Sequence, residues 1–333
     1  LTQTTQRKID HIKLAFESVG DAVDSRFYYE PMLQPHPDQN IIPPIKVGNK
    51  TQKLPMWVSS MTGGAALAGT INHRLAAACA QHGIGMGLGS CRILLESDTY
   101  FADFDLRDTI GADLPFYANL GIAQVEDLLS QNAYATIEHL VVSLRADGLI
   151  VHINPLQEWL QPEGDRIKHP PLETLKKLLK FATFPIWVKE VGQGFGPKSL
   201  EALLELPISG LEFGAYGGTN FAKLEALRQN NPDAAAFQIA RVGHTASEMV
   251  EFILQLKNRK PHVFENKLLL VSGGIRSFLD GYYFTQKLEM PALYAQASQF
   301  LKYALESTEA LSRFIESEKS GLMAAHAYLS LKP

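Results

Sequence analysis

The chain has 333 residues, 46% of them apolar and 20% charged, a composition that packs a core and excludes a disordered polymer. Lysine and arginine number 31 against 35 acids, a net charge of −4, with no block of like charge; this excludes a surface built to coat nucleic acid and leaves room for a local basic pocket that takes a small anion. Two cysteines, Cys79 and Cys91, are too few for a disulfide framework or a four-thiolate zinc site. No apolar run approaches the roughly 20 residues of a membrane span, and the opening residues Leu1 to Gln6 carry no apolar stretch of the signal-peptide kind, so a soluble cytoplasmic protein without a membrane partner is expected.

In chain order, Arg7-Lys8-Ile9-Asp10-His11 begins a helix-like stretch with three basic groups in five residues. Its ordinary reading is a solvated helix end; its functional reading is a flap whose charges close over an anionic substrate. Short apolar runs bounded by turn residues then predict strands centred near Val58, Met86, Tyr117, Ile150, Trp187, Leu211, Leu270 and Leu293. Helical periodicity falls between them over Ala66 to Gln81, Glu173 to Phe181, Pro197 to Leu206 and Glu248 to Leu256, and after the last over Ser298 to Ile315. Alternating strands and helices, with strands apolar on both faces, predict a (β/α)8 TIM barrel, with a doubly wound sheet as the structural rival. Without a Pro- or Ser-rich divide, the expected organisation is one barrel over residues 51–333 preceded by an extension and flap over residues 1–50.

Every predicted strand runs into a polar or glycine-rich segment, and in a barrel these segments converge on the C-terminal mouth. Ser272-Gly273-Gly274-Ile275-Arg276 follows the seventh strand and Ala297-Ser298 opens the helix after the eighth. Glycine N–H groups, a helix N-terminus and an arginine together suit a phosphate. Lys189 lies inside the apolar run Trp187-Val188-Lys189-Glu190, where an ammonium needs an anionic partner; the adjacent Glu190 points to the opposite face. The open alternatives are a charged cofactor and a salt bridge to another element. His152 and Asn154 share one face at the end of the fourth strand, with Gln157 and Glu158 just beyond. A single carboxylate suits Mg2+ that keeps its waters and shares phosphate oxygens, although a solvated loop acid is the commoner role.

These segments resemble the type 2 isopentenyl diphosphate isomerases, FMN-dependent enzymes, over nearly the whole chain. The resemblance rests on Arg7-Lys8 with His11, Ser59-Ser60-Met61-Thr62-Gly63-Gly64, Gly89-Ser90-Cys91-Arg92, Ala118-Asn119-Leu120-Gly121, and His152-Ile153-Asn154-Pro155-Leu156-Gln157-Glu158 with Gln161-Pro162-Glu163-Gly164-Asp165-Arg166. It continues through Val188-Lys189-Glu190-Val191-Gly192, Gly217-Gly218-Thr219 and Ser272-Gly273-Gly274-Ile275-Arg276. It implies FMN lined by Ser60, Met61, Thr62, Ser90, Asn119, Lys189 and Thr219, its phosphate end held by Gly273, Gly274 and Arg276 with Ala295, Gln296 and Ala297. It further implies an allylic diphosphate bound by Arg7, Lys8, His11, Ser90, Arg92, His152, Asn154 and Gln157, with Mg2+ on Glu158. Gln157, His152 and Lys189 are the residues it implies in catalysis.

The implied reaction is the interconversion of isopentenyl and dimethylallyl diphosphate, with reduced flavin as acid and base, NAD(P)H as external reductant, and a homo-oligomeric enzyme without nucleic-acid or membrane partners. The chain departs from the family pattern at Ala215 and Ala295, where glycine is usual, and at Val242-Gly243-His244-Thr245, which replaces Trp-Gly-Ile-Pro-Thr. Two rivals are an FMN barrel oxidoreductase of the 2-hydroxy acid oxidase kind and a flavin-binding protein without catalysis. The first needs a histidine base and arginine clamps near the last strands, where this chain shows only Arg276.

Overall fold

The computed structural model describes every residue except Leu1, Val19, Asp21, 61–65 and 230–233; Met61 and Thr62 therefore lie outside the described residues. Eight parallel strands close on themselves: β1 (Met56–Val58), β2 (Gly85–Gly87), β3 (Phe116–Gly121), β4 (Gly148–Ile153), β5 (Ile186–Glu190), β6 (Gly210–Glu212), β7 (Leu268–Ser272) and β8 (Ala292–Gln296). Each covers its predicted centre. The ring follows chain order and shuts where Ala295 of β8 lies opposite Trp57 of β1, which removes both edges and excludes the doubly wound rival.

Alternation along each strand sorts side chains between two cores. Outward residues such as Met56, Leu120, Val151, Val188 and Val271 meet the helices, while inward ones form a separate cluster of Trp57, Tyr117, Ile150, Trp187, Leu270 and Leu293. Tyr117 stacks on Trp187 at 4.2 Å between ring centroids, and Trp57 meets Trp187 at 5.0 Å. Three large rings fit one layer because glycines face them. A Cβ on Gly85 would come within 2.3 Å of the Trp57 ring, and one on Gly210 within 2.7 Å of Trp187. Beneath this plug a hairpin, Ile45–Val47 with Lys50–Gln52, stoppers the barrel floor through Val47.

The residues ahead of the barrel are tied to it a second time, since Phe27–Tyr29 pairs antiparallel with Leu329–Leu331 at the other end of the chain. Arg26, at the head of that ribbon, donates through Nη1 to Asp280 Oδ1 at 2.7 Å, and Asp280 Oδ2 accepts the N–H of Arg276 at 2.9 Å. The pattern from Ser298 to Ile315 predicts one helix, but two are found, Ser298–Glu306 and Thr308–Tyr328. Ser307 breaks them by turning extended, and its Oγ accepts the N–H of Ala310 as an N-cap. No helix among the described residues is long and apolar enough to cross a membrane.

Glu318 on the last helix is buried beside Tyr294 of β8, and burial, reinforced by Asp280, raises its pKa from 4.5 to about 7 despite help from the Phe278 backbone and the Tyr294 hydroxyl. A raised acid favours the folded state most below its unfolded pKa, and that contribution is lost as pH rises through about 7. Glu318→Gln should therefore melt higher than the parent at pH 8, by the equivalent of roughly 2 kcal/mol, and no higher at pH 4.5; thermal melts across that range check the crossover.

Candidate active site

Directly above the aromatic plug the inward faces turn polar. Two residues beyond Trp57, Tyr117, Ile150, Trp187 and Leu270 stand Ser59, Asn119, His152, Lys189 and Ser272, joined by Glu212 at the end of β6. In register His152 lies opposite Lys189, and Lys189 opposite Glu212.

His152 Nδ1 is 2.7 Å from Asn119 Oδ1, and Asn119 Nδ2 donates to Ser60 Oγ at 2.7 Å. With the amide assigned this way the imidazole carries its proton on Nδ1 and offers Nε2 as an acceptor. Burial, and then the Lys189 ammonium, push the pKa of His152 down to about 3, so the ring is neutral at physiological pH. Lys189 itself is buried; its Nζ donates to the Glu190 carbonyl at 2.9 Å, and no carboxylate stands within ion-pair distance among the described residues. Glu190 faces outward as alternation predicts, its Oε2 accepting the N–H groups of Gly192, Gln193 and Gly194 at 2.6, 2.6 and 2.8 Å. The salt-bridge alternative for Lys189 is thus not what the structure shows.

A cavity of about 370 Å³ opens beside this layer, lined by Ser60, Lys189 and Thr219 and, at its far end, by Gly273, Gly274 and Arg276 with Ala295, Gln296 and Ala297. Gly273 and Gly274 have φ of +86° and +75°, and a Cβ on Gly273 would lie 2.0 Å from the Ala215 carbonyl oxygen. This close approach is stitched by Gly214 N–H to Ser272 Oγ and Ala215 N–H to the Ser272 carbonyl, both 2.9 Å. The helix Ser298–Glu306 begins at Ala297 with no side-chain cap, leaving first-turn N–H groups for an anion. Gln296 Oε1 and Glu212 Oε2 are buried without a hydrogen bond, although Glu212 Oε1 accepts from Ser59 Oγ at 2.5 Å. A glycine cradle, an uncapped helix end, a cation, two unsatisfied buried oxygens and an ammonium lacking a counter-ion fit a polar ring system with a phosphate tail.

A second cluster occupies the loops after β2 to β4. On the helix Pro155–Leu160, Glu158 is buried; its Oε1 accepts from Asn154 Nδ2 at 2.8 Å and its Oε2 from the Asp165 N–H at 2.7 Å. Asn154 Nδ2 also reaches Gln157 Oε1 at 3.2 Å, Gln157 Nε2 donates to Glu225 at 3.4 Å, and Asn154 Oδ1 is buried without a partner. No group of three His, Cys, Asp or Glu gathers as a metal site among the described residues. Glu158 with the free Asn154 oxygen fits only a cation completed by waters or ligand oxygens. Arg92 is half-exposed at the rim, where its N–H reaches Ser90 Oγ at 3.4 Å.

Arg7, Lys8 and His11 lie on α1 (Gln3–Leu14), which buries none of its residues, and the three side chains are exposed. Sequence reasoning assigned no role to Ser59, Glu212, Gln124 or Glu225. Ser59 was accessible by counting alternation from Trp57 and Glu212 by counting from the outward Leu211, whereas Gln124 and Glu225 sit on helices and carry no such signal. A larger cavity of about 600 Å³ lies outside the strands against Leu172, Phe195, Leu203 and Val242, and none of the candidate site residues lines it.

Fold and mouth define a (β/α)8 barrel with a glycine-lined cavity at its mouth that has the shape and donors for an anionic group. No protein-family model matches the chain, but curated relatives do. The isopentenyl-diphosphate delta-isomerase of Rickettsia felis is 33% identical over 324 residues, 93% of this chain and 88% of that protein, and the enzyme of Rickettsia africae is 31% identical over 93% and 89%. The chain belongs to the isopentenyl-diphosphate delta-isomerase family. Among solved structures, a sulfite-bound flavocytochrome b2 variant superposes with a TM-score of 0.61 at 13% identity over 90% of this chain and 71% of that one. A mandelate oxidase variant with a monooxide FMN adduct gives 0.56 at 12% over 99% and 98%. At such identities these two establish the shared barrel alone.

Gly273→Ala should be among the most damaging small substitutions at the mouth. A positive φ costs a non-glycine residue about 1 to 3 kcal/mol, and here the added carbon also meets the Ala215 backbone. Gly111→Ala, at φ +88° with open space around it, carries only the first cost. A melting temperature no lower for the first variant than for the second would refute the close packing of the two loops.

Proposed function

We propose that the protein interconverts isopentenyl diphosphate and dimethylallyl diphosphate by a 1,3-allylic proton shift, with reduced FMN in the mouth cavity and Mg2+ at Glu158. The observation that carries this reading is Lys189, a buried ammonium without a counter-ion among the described residues, lining a cavity whose other end is the Gly273-Gly274 turn, in a chain of the isomerase family. Protonating an unactivated alkene generates a tertiary cation, so the site needs a strong acid and a base on one small fragment, which side chains supply poorly. When bound in its reduced state, FMN would supply that acid–base chemistry without net redox change.

The protein's own groups supply binding and charge. Gly273, Gly274, Arg276 and the helix opening at Ala297 would hold the phosphate end, while Gln296 Oε1, unpaired at that same end, would accept from a hydroxyl of the cofactor's tail. Lys189 would stabilise negative charge on the reduced ring. His152, neutral and held by Asn119, contributes an acceptor or, after an amide flip, a donor, but not a cation; the positive charge for a diphosphate falls to Arg92, the flap pair Arg7 and Lys8, and the metal on Glu158. Gln157, hydrogen-bonded to Asn154 and Glu225, would orient the substrate. The family's allylic diphosphate, the external reductant NAD(P)H and a homo-oligomeric state belong to the same proposal.

The purified protein should be yellow, release FMN on denaturation, and isomerise only when the flavin is reduced and Mg2+ is present, consuming no reductant in proportion to product. Turnover by the oxidised protein under air would sink the proposal. Lys189→Met should lower the flavin's reduction potential, because a cation beside the ring favours the reduced, negatively charged state; potentiometric titration of the bound flavin reads this without reference to turnover, and an unchanged potential returns Lys189 to a structural role.

A further inference from the structure

We propose that Asp165 is a positioning residue that fixes Arg92 at the mouth for the anionic end of the substrate; this rests on the diphosphate reading above. Asp165 Oδ2 accepts from two side chains at once, Arg92 Nη1 at 2.5 Å and Gln124 Nε2 at 2.7 Å. Its own N–H donates to Glu158 Oε2 at 2.7 Å. One residue therefore joins the turn after β2 and the helix after β3 to the loop after β4, and links the arginine to the carboxylate proposed for the metal.

The chemistry separates two roles for such a contact. Arg92 is half-exposed and would otherwise sample many rotamers, so that each anion bound would have to order it. Asp165 is three-quarters buried and Gln124 nine-tenths buried, so the acceptor stands in a fixed place. The guanidinium has five N–H donors. The hydrogen bond to Asp165 uses one of them and Nε lies 4.0 Å from Glu96 Oε1, which leaves the donors on Nη2 and the second on Nη1 for phosphate oxygens. Gln124 is in turn seated against the chain: a Cβ on Gly121 would lie 2.3 Å from Gln124 Oε1 and 2.9 Å from His152 Nε2, so only glycine lets the brace and the histidine close in together. Were Asp165 instead a quencher that neutralises Arg92, removing its charge would strengthen anion binding. As a positioning residue, its loss weakens binding.

The test uses the flavin-loaded protein and inorganic pyrophosphate with Mg2+, read by calorimetry, so that it does not depend on turnover. Asp165→Asn, which keeps the shape and one acceptor, should weaken pyrophosphate binding about tenfold and raise KM for isopentenyl diphosphate similarly, with kcat changed less than threefold. In an Arg92→Ala background the same substitution should have no further effect. Gln124→Met, which removes the brace without touching the acid, should weaken pyrophosphate binding about threefold, and serves if the Asp165 variant does not fold. Tighter or unchanged binding in Asp165→Asn, or an undiminished effect without Arg92, overturns the proposal. Pyrophosphate effects as expected in a protein that isomerises nothing would uphold the brace while overturning the isomerase reading.

Discussion

The period-two alternation of a β-strand is the constraint on which the rest of this molecule depends. In a closed ring it dictates that every second residue enters a space too narrow for more than one layer at a time. Trp57, Tyr117 and Trp187 fill one such layer, with Gly85 and Gly210 giving them room. The next layer up must then hold Ser59, Asn119, His152, Lys189 and Ser272. A one-residue slip in β5 would exchange the Trp187 ring for the outward Val188 and turn Lys189 into the helix layer, costing several kcal/mol for the large side chain displaced. Fold and site are thus specified by one register.

The polar layer is unsettled as it stands, and that is its chemical content. Among the described residues, a buried ammonium without a counter-ion, two buried oxygens without donors and a histidine held neutral are individually costly. The bulk of the plug below and the outer core around it offset those costs. Beside them the Gly273-Gly274 cradle is rigid, since its backbone rests on Ala215. The departure from glycine at Ala215 is accommodated because that residue's φ is not positive and its methyl is buried; it is Gly273 across from it that has no freedom to change.

Much of this was legible in the sequence. The eight strand centres were readable because each strand is buried on both faces and so forms an apolar run, and the mouth because each run ends in polar or glycine residues. Lys189 stood out as a charge inside such a run. The helix break at Ser307 was not legible, as the apolar periodicity continues across it and a single serine cap is a weak signal. Neither the floor hairpin nor the ribbon of Phe27–Tyr29 with Leu329–Leu331 could be seen, because the hairpin's short strands are not apolar runs and the ribbon's two strands lie at opposite ends of the chain. Asp165 lay within a recognised motif, yet its joining of three segments is a property of space alone.

The terminal ribbon makes one carboxylate a mechanical joint. Asp280 holds Arg26 with one oxygen and the Arg276 backbone with the other, so the point where the leading segment is anchored is also a support of the anion loop. The twelve residues between Leu14 and Phe27 reach at most about 40 Å when fully extended. The basic groups of α1 are therefore leashed to the rim of the mouth, and their local concentration there is set by the leash and not by the amount of protein in solution.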